Sequence, residues 1–193
     1  MQMTKTSRIS LIVFLGIMSA MAPLATDMYL PALPELAADF SATASLAQMT
    51  LTMTMLGMAI GQIFLGPLSD MHGRRLPLFC GMVVFAAVSL GCCFSDSIEP
   101  FLVLRFLQGF AGASGIVIAR AIARDVAEGV ELTRFLAILM LVNGLAPILA
   151  PVVGGQLLRL SSWHIIFAVL SAIGVIMALW TLGTRETLPK EQR

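Results

Sequence analysis

The sequence predicts an all-α membrane protein with six transmembrane helices, and three observations predict it. The 193 residues are 58% hydrophobic and 12% charged, where soluble domains hold about 45–50% apolar and about 25% charged residues. The apolar residues gather in long continuous runs, whereas a spanning β-strand needs only about 9–11 alternating ones. The links between the runs are short and carry chain breakers or charge. This pattern excludes a soluble globular domain and a disordered chain. A net charge of +1, with no basic or acidic tract, offers nothing to recruit nucleic acid.

The runs cover residues 9–30, 45–65, 76–94, 101–123, 135–158 and 165–182. At about 1.5 Å per residue each suffices for a hydrocarbon core of about 30 Å. Pro31 and Pro34 follow the first run, Gly73-Arg74-Arg75 the second, and Asp96 through Pro100 the third. Glu128-Gly129 follows the fourth and Ser161-Ser162 the fifth. No soluble domain fits between any two, so residues 1–193 read as one transmembrane lobe, with a polar linker starting at about residue 184. Lys5 and Arg8 before a stretch containing Ala20-Met21-Ala22 imitate a secretory signal peptide. Pro23 is a poor residue just after a cleavage site, and the run is long enough to span. Cys80, Cys92 and Cys93 share one apolar run and read as small packing residues, with no disulfide or metal framework expected.

Orientation follows from the cations. With the N-terminus in the cytoplasm, Lys5, Arg8, Arg74, Arg75, Arg120, Arg124, Arg134, Arg185, Lys190 and Arg193 all fall inside. Only Arg159 falls outside, and Arg105 lies within a span. The positive-inside rule therefore gives a multi-pass protein with both termini cytoplasmic.

Two ionisable residues sit away from span ends. Asp27 lies in the outer part of the first span and Arg105 in the outer part of the fourth. Either costs about 2.5–3.5 kcal/mol at mid-membrane and less near an interface. Counting along the helices puts both in the outer third of the membrane, so mutual attraction is open to them. In the functional reading Asp27 takes and releases a proton while Arg105 tunes it. The bland reading is an interface-anchored aspartate and a structural arginine satisfying carbonyls. Gln108, one turn from Arg105, shares its face. Tyr29, Gln48, Met53, Gln62 and Asn143 are the remaining candidates to line an amphipathic substrate cavity. The thioethers of the second span suit varied apolar ligands, unless they face lipid or fill gaps.

Glycines mark close helix packing. Gly57-x-x-x-Gly61 lies in the second span, Gly109, Gly112 and Gly115 in the fourth, and Gly144, Gly154 and Gly155 beside Pro147 and Pro151 in the fifth. The prolines remove backbone bonds and are expected to bend that helix.

Several of these segments are familiar together. Gly66-Pro67-Leu68-Ser69-Asp70-Met71-His72-Gly73-Arg74-Arg75 resembles the cytoplasmic loop signature of major facilitator superfamily transporters, G-x-L-a-D-r-x-G-r-r. Arg105-Phe106-Leu107-Gln108-Gly109 is similar to the R-x-x-q-G signature of their fourth span. Ala146 through Gly155 resembles the g-x-x-x-G-P-x-x-G-G signature associated with antiporters. Thr26-Asp27-Met28-Tyr29-Leu30-Pro31-Ala32-Leu33-Pro34 resembles the first-helix signature of the bicyclomycin/chloramphenicol-resistance (Bcr/CflA-type) drug:proton antiporters. Ala119-Arg120-Ala121, Arg124-Asp125, Ser162-Trp163-His164 through Phe167, and Glu186-Thr187-Leu188 also fit that pattern. The departures are Met71 for a basic residue, Ala111, Ala146 and Ala150 for glycines, and one six-helix lobe where the superfamily has two.

The resemblance implies one lobe of a major-facilitator fold, built from two three-helix inverted repeats. It implies proton-coupled multidrug efflux by alternating access in a bacterial cytoplasmic membrane, driven by the proton gradient without a cofactor. Asp27 then matches an acidic position tied to proton or drug coupling, and Arg105 an arginine governing proton binding. Gly66, Asp70, Gly73, Arg74 and Arg75 match the inner-gate loop, where Asp125 would complete an Asp70–Arg74–Asp125 cluster. Pro147, Pro151, Gly154 and Gly155 would bend the fifth span at the lobe interface. The implied partners are the lipid bilayer, a small amphipathic drug, and a missing C-terminal six-helix half or a second copy.

Rival readings come from other classes. The chain has no G-x-x-x-x-G-K-[ST] nucleotide signature, which disfavours an ATP-driven pump. Gly112-Ala113-Ser114-Gly115 and His164 resemble the serine and histidine of rhomboid intramembrane proteases. Helix counting places the two residues at different depths, and a nucleophile and its base must approach to about 3 Å. A truncated or homodimerising six-helix unit without transport of its own is the third reading.

Overall fold

The computed structural model describes residues 5–189, with side chains from residue 8 onward. Lys190 and Arg193 of the topology argument lie outside the described residues, as does the Lys5 side chain. The elements are α1 (Lys5–Asp27), a 3-10 turn (Leu30–Ala32), α2 (Leu33–Asp39), α3 (Ala44–His72), α4 (Arg75–Cys93), α5 (Ile98–Val126), α6 (Gly129–Leu158) and α7 (His164–Gly183). Six segments are long and apolar enough to cross a membrane, α1 through α2 counting as one of them. No strand occurs among the described residues.

Three boundaries depart most from the sequence expectation: α6 already opens at Gly129, well before residue 135, and two others shift for clear physical reasons. The first run does not stay helical to residue 30. It breaks after Asp27 and resumes as the 3-10 turn and α2. Pro31 and Pro34, read as breakers, occupy opening positions of those short helices, where a missing N–H leaves no bond unmade. The second run extends beyond residue 65 to His72, carrying Pro67 inside the helix. Most of the Gly66–Arg75 signature is therefore helical, and the loop itself is only Gly73 and Arg74. Gly73 adopts φ +87°, a left-handed conformation that ends α3 without a Cβ clash. At its other end Thr43 caps α3, accepting from the Leu46 N–H at 3.3 Å.

Helix α5 is the centre of the bundle, packing on α3, α4 and α1. Its contact with α3 depends on two glycines that admit the opposite backbone. A Cβ on Gly57 would land on the Phe106 carbonyl, and one on Gly109 on the Thr54 carbonyl. Helix α4 packs on α7, and α1 on α6. Phe14, Leu15, Met18 and Met21 of α1 join Phe85, Phe101 and Phe167 in one continuous core.

Coverage is uneven. The apolar window of α5 is 61% buried, whereas those of α3 and α6 are 22% and 17% buried. On α3 the exposed positions Gln48, Thr52, Ala59 and Gln62 recur on one face. On α6, Leu141, Leu145, Ile148 and Val152 do the same. Helix α6 remains a single α-helix through Pro147 and Pro151.

Candidate functional site

Arg105 is 0% exposed. One guanidinium nitrogen donates to Gln108 Oε1 and another to the Ala25 carbonyl at 2.8 Å. The Gln108 amide donates to Ser89 Oγ at 2.7 Å, and Ser89 to the Phe85 carbonyl at 2.7 Å. The flat guanidinium lies over the Tyr29 ring at 4.1 Å and near the Phe167 ring at 5.4 Å. No carboxylate forms an ion pair with Arg105 among the described residues. Its Nε is buried without a hydrogen-bond partner. Aromatic faces, a carbonyl and an amide thus hold this cation.

Asp27 is half-buried and makes no ion pair with Arg105. Similar depth therefore does not bring the two side chains together. The arginine instead reaches the backbone of α1 two residues earlier, at Ala25.

The proposed cavity residues do not share one site. Tyr29 is fully buried on Arg105, with its hydroxyl sharing a 2.8 Å hydrogen bond with Thr50 Oγ1. Gln48 and Gln62 are exposed on α3, and Met53 is half-buried. Asn143 bridges α6 to α1, donating to Ser19 Oγ and to the Leu139 carbonyl. An apolar groove of about 360 Å³ between α4 and α7, lined by Phe79, Val83, Leu90 and Val175, includes none of these residues.

At the end of the bundle that carries the termini, the expected charged cluster forms. Arg74 is 7% exposed. Its Nε donates to Asp125 Oδ2 at 2.9 Å, and its Nη1 to Ser69 Oγ at 2.9 Å and to Asp70. Burial works against the Arg74 charge, but its hydrogen bonds and charge pairs with Asp125 and Asp70 outweigh that and hold it above its ordinary pKa. Glu186 joins from beyond α7. Its carboxylate accepts the backbone N–H of Arg74 at 2.8 Å and of Arg75 at 3.2 Å, satisfying donors at the start of α4. Thr187 donates to Asp125 at 2.9 Å. Arg75 reciprocates by donating to the Thr181 and Leu182 carbonyls at the end of α7. Gly66 lies on α3 beneath the cluster, its carbonyl accepting from Ser69 at 2.8 Å.

Gly154 presses on the Met28 carbonyl, where a Cβ would collide, whereas Gly144 and Gly155 have open space beside them. Pro147 is exposed and Pro151 half-buried. Ser114 donates to the Ala111 carbonyl at 2.6 Å, while His164 shares a 3.0 Å contact with Ser162 at the opposite end from the termini. The serine and histidine of the protease reading thus engage different partners.

Sequence reasoning missed Ala25, Ser89 and Thr50 around Arg105, because a backbone carbonyl or a small hydroxyl carries no motif. Phe167, Glu186 and Thr187 were visible only as part of a family pattern.

The comparisons with known proteins agree with this architecture. A family model described as Major Facilitator Superfamily matches residues 15–193. The "Uncharacterized MFS-type transporter YdgK" of Bacillus subtilis is 46% identical over 193 residues, covering 98% of this chain and 48% of that protein. The "Bicyclomycin resistance protein homolog" of Haemophilus influenzae is 39% identical over 183 residues, covering 94% of this chain and 46% of its own length. The chain thus spans about half the length of these curated relatives. A bacterial homolog to the human lysosomal transporter Spinster, solved in an inward-facing and occupied conformation, superposes with TM-score 0.80 at 16% identity. It covers 96% of this chain and 46% of the other, and shows the shared fold. By the match over residues 15–193, with its motifs on the expected helices, the chain belongs to the Major Facilitator Superfamily.

Proposed function

We propose that the chain forms one half of a proton-coupled transporter that expels bicyclomycin- or chloramphenicol-type drugs by alternating access. The observation that supports this reading best is Arg105, an enclosed guanidinium without a carboxylate partner among the described residues. An ion kept inside a membrane bundle at such cost points to a pathway that uses it. Asp27, two residues beyond the carbonyl that Arg105 grips, is the acid that carries the proton. The printed name of the Haemophilus relative supports the drug class.

The charged cluster of Asp70, Arg74, Asp125 and Glu186 latches the termini end of the lobe. That end faces the cytoplasm under the positive-inside rule, since Arg74, Arg75, Arg120, Arg124, Arg134 and Arg185 gather there. The uncovered faces of α3 and α6 pack against a second six-helix half. A second copy of this chain is the other occupant that fits, because about half of each relative's length is matched here. Intact mass of the native membrane protein separates the two: about twice 20.6 kDa in one polypeptide supports the fused half.

The functional test is drug retention in cells expressing the complete transporter. Expected is efflux that stops when a protonophore collapses the gradient, and that Asp27→Asn abolishes at equal expression. Efflux indifferent to both treatments would remove proton coupling and Asp27 from the account.

A further inference from the structure

Arg105 is sealed by this lobe alone, and much of the seal is a single piece of chain. Tyr29 covers the guanidinium face and Ala25 accepts from its edge, and both lie on the stretch running from α1 into α2. The α-helix ends at Asp27, so Met28 and Tyr29 form a natural bend. Gly154 of α6 supports that bend by receiving the Met28 carbonyl.

Two further ties hold the stretch down. The Tyr29 hydroxyl is bonded to Thr50 of α3 at 2.8 Å. At the far end of α2, Asp39 accepts the indole N–H of Trp163 at 2.7 Å, and Glu35 accepts the Trp163 backbone N–H at 3.3 Å. Trp163 is 1% exposed and is itself wedged edge-on against Phe101 and Phe167, with Phe40 of the same stretch packed on it. Phe167 in turn touches both Tyr29 and Arg105. The ties at Thr50 and Trp163 therefore converge on the ring that covers the arginine.

We propose that Met28–Asp39 is a latched arm over Arg105, with Tyr29 as its cover and Thr50 and Trp163 as its two latches. An anionic group reaches Arg105 only when the arm lifts. The latch residues are positioning residues: they act on Arg105 through Tyr29 and touch nothing that is transported. The role of the arm in transport rests on the proposed antiport, but the sealing of Arg105 can be measured without it.

The experiment is arginine modification of the complete transporter by phenylglyoxal, mapped by mass spectrometry. Arg120 and Arg124 are exposed and serve as reactive references, while Arg74, buried at the other end, reports intact folding. In the parent, Arg105 is expected to stay protected while Arg120 reacts. Trp163→Phe keeps the ring but lacks the N–H, and Thr50→Val removes the partner of Tyr29. Each is expected to raise Arg105 modification about fivefold, the effect of one lost hydrogen bond, with Arg120 and Arg74 unchanged. Asp39→Asn keeps an acceptor and should stay close to the parent. The proposal is overturned if Arg105 reacts as readily as Arg120 in the parent, or if both latch variants leave it protected. It is also overturned if Arg74 becomes reactive alongside it, since the opening would then be global. Proton-driven efflux of the parent is scored separately, so its absence would sink the antiport reading and leave the arm standing.

Discussion

The guanidinium of Arg105 on α5 donates to the carbonyl of Ala25 on α1 across 2.8 Å, two residues before Asp27. A buried side chain on one helix thereby grips the backbone of another just where that helix is about to break. Any shift of α1 against α5 changes the surroundings of the arginine, and any change in the charge near Arg105 is felt at the bend. The relationship gives the lobe a physical link between a buried charge and the break after α1.

Replacing Arg105 separates function from stability. A buried cation without a carboxylate partner is costly to desolvate, so an apolar residue of similar size relieves that cost. Arg105→Met is therefore expected to keep or raise the melting temperature of the purified complete protein while abolishing efflux. A variant that unfolds at once would show that the arginine holds the bundle together instead.

Arg105→Lys should not rescue. Lysine is a point charge without a planar face, so it cannot stack on Tyr29 while donating to both Gln108 and Ala25. Efflux is expected to fall at least about tenfold, corresponding to about 1.4 kcal/mol, at unchanged expression. Measured drug accumulation in intact cells checks this.

The charged cluster at the termini end should show a ranking. The side chains of Arg74 and Asp125 are 9% and 13% exposed, while that of Asp70 is 64% exposed. Removing one partner of a buried pair costs about 3–5 kcal/mol, whereas exposed pairs contribute at most about 1 kcal/mol. Thermal unfolding should therefore rank Asp125→Ala as clearly more damaging than Asp70→Ala.

The same cluster should be indifferent to alkaline pH. The Arg74 pKa is raised in the folded protein, so its contribution is fully present below the ordinary arginine value and is lost only as pH rises through the higher folded value. Melting temperatures from pH 7 to pH 10 should thus show no difference between the parent and Asp70→Ala that grows with pH. A divergence over that range would mean that another group governs the cluster.

Gly109→Ala tests the central contact. Its Cβ would collide with the Thr54 carbonyl, a backbone atom that cannot swing aside. Overpacking costs about 1–3 kcal/mol, and cross-linking between cysteines placed on α3 and α5 should lose efficiency. Gly144→Ala, with open space beside the residue, should leave the same α3–α5 cross-link intact.

Much of this was readable from the chain before any coordinates. The six apolar runs fall on the six spanning segments because a long, continuously apolar run in lipid satisfies its own backbone groups by forming a helix. The Asp70–Arg74–Asp125 cluster forms as the loop motif implied, since its members sit at adjoining helix ends. What stayed hidden depends on rotation and on missing surfaces. Counting residues gives depth but not azimuth, so Asp27 and Arg105 share a level without sharing a contact. The prolines at 31 and 34 were read as stops, although proline also opens helices, and α2 was missed. Gln48 and Gln62 stand on an exposed face of α3, so their part in a cavity depends on what covers that face.

The most direct measurement of the central claim is proton release from the detergent-solubilised complete transporter when drug is added at weakly buffered pH. Antiport through Asp27 predicts that the parent releases protons in proportion to drug bound, and that Asp27→Asn binds drug but releases none. Equal release from both proteins would contradict the account.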